Sequence, residues 1–214
     1  MKNYLLFFLC LFPAALFSQP CLDFKLKGQL KSAYDSCIEI HRAQYKQDFL
    51  KEEHSPLKAA DIEFLQFYPA DNSWWIKARY ELYKKAEIVE FVTSSGKIKK
   101  YRPYAILYLN RNGNEFNLTV YQSEQLKDNP RYADYLFLPF TDLTNGDETY
   151  GGGRYIDLRT GDFKDGNVLI DFNKAYNPYC AFSGGYSCPV PPEANRLKIE
   201  IKAGEMNFTG EKKH

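Results

Sequence analysis

The chain has 214 residues, of which 44% are hydrophobic, enough for one domain with a substantial core. Its 28 Lys and Arg nearly cancel 27 Asp and Glu, for a formal net charge of +1. A near-neutral surface with mixed signs argues against a nucleic-acid partner, which needs a basic face.

Residues 1–19, MKNYLLFFLCLFPAALFSQ, place one lysine before an apolar run from Tyr4 to Phe17. The run is shorter than the ~20 residues of a spanning helix and reads as a secretory signal peptide cut near Ser18 or Gln19. The chain is therefore expected to be periplasmic or secreted and not membrane-spanning. A lipid anchor at Cys21 is the lesser alternative, because Pro20 would then sit at the scissile bond. Removing the leader leaves Cys21, Cys37, Cys180 and Cys188. In an oxidising compartment these suggest two disulfides, and proximity favours Cys21–Cys37 and Cys180–Cys188. A buried thiol is the alternative for Cys37.

Residues 20–214 are expected to form a single β-rich domain. Leu30 to Glu53 has helical spacing, with a stripe through Tyr34, Cys37, His41, Tyr45 and Phe49, and His54-Ser55-Pro56 ends it. On that stripe His41 reads as a core-edge residue and not as a ligand. Strand-like runs follow at 62–68, 74–83, 88–93, 98–101, 105–110, 115–122, 135–140, 154–158, 168–172 and 197–203. Ser94-Ser95-Gly96 and Arg111-Asn112-Gly113-Asn114 carry hairpin-turn chemistry. Many short strands without helices between them predict a mainly β fold, an antiparallel β-sandwich or barrel with an N-terminal α-helix.

Two segments concentrate unusual residues. Phe140 to Asp157 contains Gly151-Gly152-Gly153 flanked by Tyr150, Arg154 and Asp157. It lacks the Lys-Ser/Thr of a phosphate loop, and its glycines read as a bulge or turn. Arg154 is expected either in an internal ion pair with Asp157 or Asp171, or in anion binding. Asp142 to Glu148 has a glycine one position too early for a calcium loop. The second segment, Asp171 to Glu205, holds two cysteines, four prolines, three asparagines and three tyrosines. A polar, tyrosine-lined pocket between the two segments would draw on Tyr150, Arg154, Asp157, Asp171, Asn173, Tyr176, Asn177, Glu193, Asn195 and Glu205. The asparagines could equally cap turns. Three scattered histidines and two lone late cysteines give no metal-ligand spacing, so no metal or cofactor is expected.

The pieces His54-Ser55-Pro56-Leu57, Phe67-Tyr68-Pro69-Ala70-Asp71 and Thr93-Ser94-Ser95-Gly96, with Leu136 to Leu158 and Asp171 to Glu205, resemble the bacterial and archaeal domain of unknown function 1684 family. The resemblance covers about Ile40 to Phe208. It implies a shared domain and carries no mechanism, since the family has no assigned activity. The expected role is a non-catalytic ligand-binding or structural module of the envelope, its partner an unknown small molecule or envelope component. The alternative is a hydrolase whose carboxylates, from Asp171, Glu193 and Glu205, do acid–base work.

Overall fold

The computed structural model describes residues 30–213. The expected leader at residues 1–19, Cys21 with its expected bond to Cys37, and His214 lie outside them. One helix, α1 (Leu30–Lys51), precedes seven strands: β1 (Trp75–Leu82), β2 (Val89–Val92), β3 (Ile98–Arg111), β4 (Asn114–Ser123), β5 (Tyr135–Phe140), β6 (Arg154–Arg159) and β7 (Asn167–Asp171). They form one antiparallel sheet in the order β6-β5-β4-β3-β1-β7, with β2 on the first half of β3, curled as a half-barrel. The mainly β antiparallel fold with an N-terminal helix is the one the sequence predicts.

Period-two alternation places the core. Ile76 and Ala78, Leu107 and Leu109, Leu118 and Val120, Leu136 and Leu138, Ile156 and Leu158, and Val168 and Ile170 share one buried cluster. The opposite face carries Phe91, Tyr101, Tyr121, Phe137 and Tyr155, with rings 4.6–5.5 Å apart at successive contacts. The two runs expected at 98–101 and 105–110 are one strand. Its register shifts between Pro103 and Ala105, so Tyr104 is the extra residue of a bulge. The bulge inverts the facing of the strand, sending Tyr101 to the aromatic face and Ala105 to the core. Both expected turns are present, with positive φ at Gly96, Asn112 and Gly113.

Three expectations are corrected. Residues 62–68 are not a strand: a 3-10 helix spans Ala59–Phe64, and Phe67 makes a lone bridge to Glu205. Residues 197–203 keep strand-like burial, with Leu197, Ile201 and Ala203 buried and Lys198, Glu200 and Lys202 exposed. Just before them Arg196 makes a lone parallel bridge to Thr141, and no longer ladder forms: Leu197 and Ile199 bond to the backbone of Thr141 and Leu143, and the carbonyls of Ile201 and Ala203 are taken by a side chain, described below. On α1 the buried stripe is Tyr34, Ile38, Arg42 and Phe49, and His41 is exposed. The true steps of four bring in Arg42, whose Nη2 donates to the Tyr68 carbonyl at 2.7 Å while its guanidinium lies 4.9 Å from the Phe67 ring. Trp74 is core and Trp75 stacks on Tyr34 at 5.6 Å, as alternation requires.

Cys180 and Cys188 are disulfide-bonded. The loop they close is laced to the β2–β3 turn. Ser94 N–H donates to the Cys188 carbonyl (2.9 Å), Cys188 N–H to Ser94 Oγ (3.1 Å), and Val190 N–H to the Val92 carbonyl (2.9 Å). Tyr155 OH donates to the Pro189 carbonyl at 2.5 Å, which fastens the same strap across the aromatic face. A loop this short constrains the unfolded chain by ~2–3 kcal/mol. Replacing both cysteines by serine is expected to lower the unfolding free energy by about that amount in urea titration.

Candidate functional site

The glycine-rich turn and the cysteine loop do meet, by direct packing. A Cβ on Gly153 would come within 2.6 Å of Pro191 Cγ and 2.7 Å of the Phe140 carbonyl, and its φ is +86°. Tyr155 and Tyr176 pair through their backbones. Gly153 is therefore there for close approach, while Gly151 and Gly152 form the turn that the sequence suggests.

Arg154 is the centre of this junction. Its side chain has no exposure, and neither has that of Asp142, which accepts from Nη2 at 2.8 Å. Nη2 also donates to the Ile201 carbonyl (2.8 Å), and Nη1 to those of Ala203 (2.5 Å) and Glu205 (3.2 Å). The internal ion pair is real, but its partner is Asp142 and not Asp157 or Asp171. Asp142 Oδ1 accepts from Thr144 N–H (2.9 Å), Thr144 Oγ1 (2.6 Å) and Ile201 N–H (3.2 Å). Sequence reading missed Asp142 as this partner. The signal was its place two residues after Phe140, the residue that pairs with Arg154 across β5 and β6.

The asparagines also serve the chain. Pro139 has no N–H for the β4–β5 ladder, which registers only at Tyr121 and Phe137. Asn195, with no exposure, fills that gap. Its Oδ1 accepts from Thr119 N–H (2.7 Å), and its Nδ2 donates to the carbonyls of Thr119 (2.8 Å) and Pro139 (2.6 Å). Asn173 accepts from Asp71 N–H (2.9 Å) and donates to the Asp71 carbonyl (2.8 Å), Tyr34 OH and Asp171. Asp171 Oδ1 takes the Tyr34 hydroxyl at 2.8 Å, tying α1 to the end of β7. Glu193 is exposed and pairs with Arg196, and Tyr150 packs against the buried cluster of Phe49, Leu57, Leu65, Ala181 and Phe182.

Glu205 is fully buried. Its Oε2 accepts from Asn177 N–H (2.8 Å) and Tyr45 OH (2.9 Å), while Oε1 has no donor among the described residues. The buried Oδ1 of Asn177 is also without a partner there, and its Nδ2 donates to the Met206 carbonyl. Burial pushes the Glu205 carboxyl up to about 8, only partly offset by the bonds it accepts and by Arg154.

Asp157 differs from all of these: it is exposed on β6, and its Oδ1 accepts from Tyr135 OH and Tyr176 OH, each at 2.7 Å. The crowding of neighbouring atoms raises its pKa, and the two hydroxyls pull it back. Tyr176 in turn touches Tyr45, ring centroids 6.2 Å apart. Among the described residues, no group of three or more His, Cys, Asp or Glu could hold a metal ion, and no helix is long and apolar enough to cross a membrane.

Removing one partner of a buried pair strands the other charge. Arg154→Met is therefore expected to cost about 3–5 kcal/mol in urea unfolding, and adding D142L should cost much less than the two singles together. A carboxyl raised in the folded state binds a proton that the unfolded chain has released. Stability contributed by Glu205 is thus greatest below about pH 4.5 and lost as pH rises towards 8. Glu205→Gln keeps an N–H donor and cannot ionise, so the stability difference between variant and parent should move in favour of the variant from pH 5 to pH 8.

The solution NMR structure of an uncharacterised protein of Haloarcula marismortui superposes with a TM-score of 0.64 at 28% identity, covering 86% of this chain and 99% of that one. No curated protein matches the chain. The family model described as protein of unknown function (DUF1684) matches residues 60–206, and the chain belongs to that family.

Proposed function

We propose that this protein is an exported, non-catalytic binding module of the cell envelope, presenting the tyrosine–carboxylate surface at Asp157 on a scaffold braced from within. Export rests on the leader-like residues 1–19. One observation carries the non-catalytic reading: Arg154, Asn173 and Asn195, at 0–1% exposure, spend their hydrogen bonds on the chain's own backbone and neighbours. A hydrolase of the carboxylate type needs two ionisable groups converging on a substrate. Asp171 is bonded to Tyr34 and Asn173, Glu193 lies on the surface with Arg196, and Glu205 is enclosed with Tyr45 and Asn177. The hydrolase reading has one observation in its favour, the raised pKa of Glu205, which suits a general acid. Its complete burial keeps that acid from any substrate.

Asp157 with Tyr135 and Tyr176 offers a carboxylate beside aromatic rings, a surface suited to ammonium groups and to polyols. Thermal-shift titration with spermidine, choline, glucose and N-acetylglucosamine tests it. At about 100-fold excess over Kd a genuine ligand adds roughly 2.7 kcal/mol, a shift of about 5–10 °C for a chain of this size. The shift is expected to vanish in Asp157→Asn with Tyr176→Phe. Shifts that survive both substitutions, or no shift with any probe, would remove this surface as the site.

A further inference from the structure

A cavity of about 270 Å³ lies under the β3–β4 turn, lined by Trp74, Arg111, Asn114, Ile199 and Glu200. It is separate from the Asp157 surface. Asp157 registers with Phe137, and Phe137 with Tyr121, seven residues along β4 from Asn114, or about 23 Å at strand rise.

The walls of this cavity are fixed. Asn112 and Gly113 take φ of 53° and 85°, and Asn110 Oδ1 accepts the Gly113 N–H at 3.1 Å. This turn sets Arg111 opposite Asn114 as the last pair of the hairpin. The Arg111 guanidinium lies 3.7 Å from the centroid of the Trp74 ring, and its Nη2 donates to Ser73 Oγ at 2.9 Å. Trp74 is held from behind by Phe172, ring to edge at 5.8 Å.

The charge of Arg111 is incompletely met. Asp71 is its ion-pair partner, 3.6 Å away and 44% exposed, and the other Asp71 oxygen already caps the Ser73 N–H. Neither Nε nor Nη1 of Arg111 has an acceptor among the described residues, and Nε is buried. A buried donor without an acceptor is costly, and an arginine held flat by a ring has already lost the freedom that binding would otherwise cost. Ile199 adds an apolar wall and Asn114 an amide. Glu200, the one acid in the lining, is matched by Lys202 at 3.4 Å.

We propose that this cavity binds a small organic anion, a carboxylate or phosphate monoester of a few carbons, with its acidic group on Arg111 and its apolar part against Ile199. The volume falls just below the range of ~300–1,000 Å³ typical of drug-sized ligands, which selects a compact molecule. An anionic oxygen supplies an acceptor to the outer guanidinium nitrogens of Arg111, in the charge-assisted geometry guanidinium groups favour.

The test is an NMR titration of the full chain, following the Trp74 Nε1–H and Arg111 Nε–H signals with acetate, succinate, glycerol 3-phosphate and inorganic phosphate added separately. At least one organic anion is expected to move both signals saturably, with Kd below about 1 mM. The carboxylate and phosphate arms separate the two head groups, and inorganic phosphate asks whether the carbon part contributes. Arg111→Gln should weaken binding about tenfold or more, and Ile199→Trp, which fills the space without changing charge, should abolish it. Arg79→Gln removes an exposed arginine lying over Tyr108, and should leave affinity within about twofold. No saturable movement with any anion, or equal losses in Arg111→Gln and Arg79→Gln, would overturn the proposal. Neither outcome bears on the Asp157 surface, whose probes and variants are different.

Discussion

Arg154 has nowhere to put its charge except among acceptors, and the C-terminal part of the chain is laid out to provide them. An uncompensated guanidinium in an interior costs far more than one domain's net stability. Asp142 supplies the countercharge, and Ile201, Ala203 and Glu205 supply carbonyls at every second residue. Carbonyls spaced by two point the same way along an extended chain. Residues 197–203 are therefore a strand in local habit: Leu197 and Ile199 bond to the backbone of residues 141–143, the carbonyls of Ile201 and Ala203 are filled by an arginine, and Gly204, at φ +79°, turns the Glu205 carbonyl to the same guanidinium.

Asn195 extends the same principle. A sheet closed only halfway needs chain to cross its open side, and that chain has no regular ladder to join. Backbone groups so exposed to the interior must still be bonded. Asn195 does this where Pro139 interrupts β5, Asn173 where the chain passes Asp71, and Asp142 where Ile201 arrives. The density of polar side chains in these two segments follows from topology. It would be needed whether or not the protein had a ligand.

Much of this was legible in advance because it is local. The apolar run at 135–140, the β-rich run at 154–158 and the Asn-Gly at 112–113 fix strands and turns through nearest neighbours alone. What stayed hidden depends on distant partners. The strand-like pattern at 197–203 is correct about which residues are buried, but it carries no trace of Arg154 as the bonding partner. On α1, steps of three and of four fit the sequence almost equally. Only the sheet decides between them, choosing Ile38 and Arg42 over Cys37 and His41. Arg111 and Trp74 are 37 positions apart, and no short motif joins them, so their stacking is visible only in space. The residues that looked most chemical were conspicuous for their composition, and composition does not distinguish a bond to a ligand from a bond to the backbone.

That distinction sorts the molecule's charged groups into two kinds. Arg154, Asp142 and Glu205 are enclosed, so any change in their charge is felt as stability. Asp157 and Arg111 keep some contact with solvent, and aromatic neighbours and hydroxyls hold each in place; Arg111 has in addition a part-exposed ion-pair partner in Asp71, 3.6 Å away. A group positioned in this way costs little entropy when it meets a partner. Asp157 retains most of its field, having no ion-pair partner among the described residues, and Arg111 retains part of its own, because Asp71 shares its charge with solvent. Rigid placement with an incompletely matched charge is the physical requirement for recognition, and in this fold it is met away from the junction that the sequence makes most prominent.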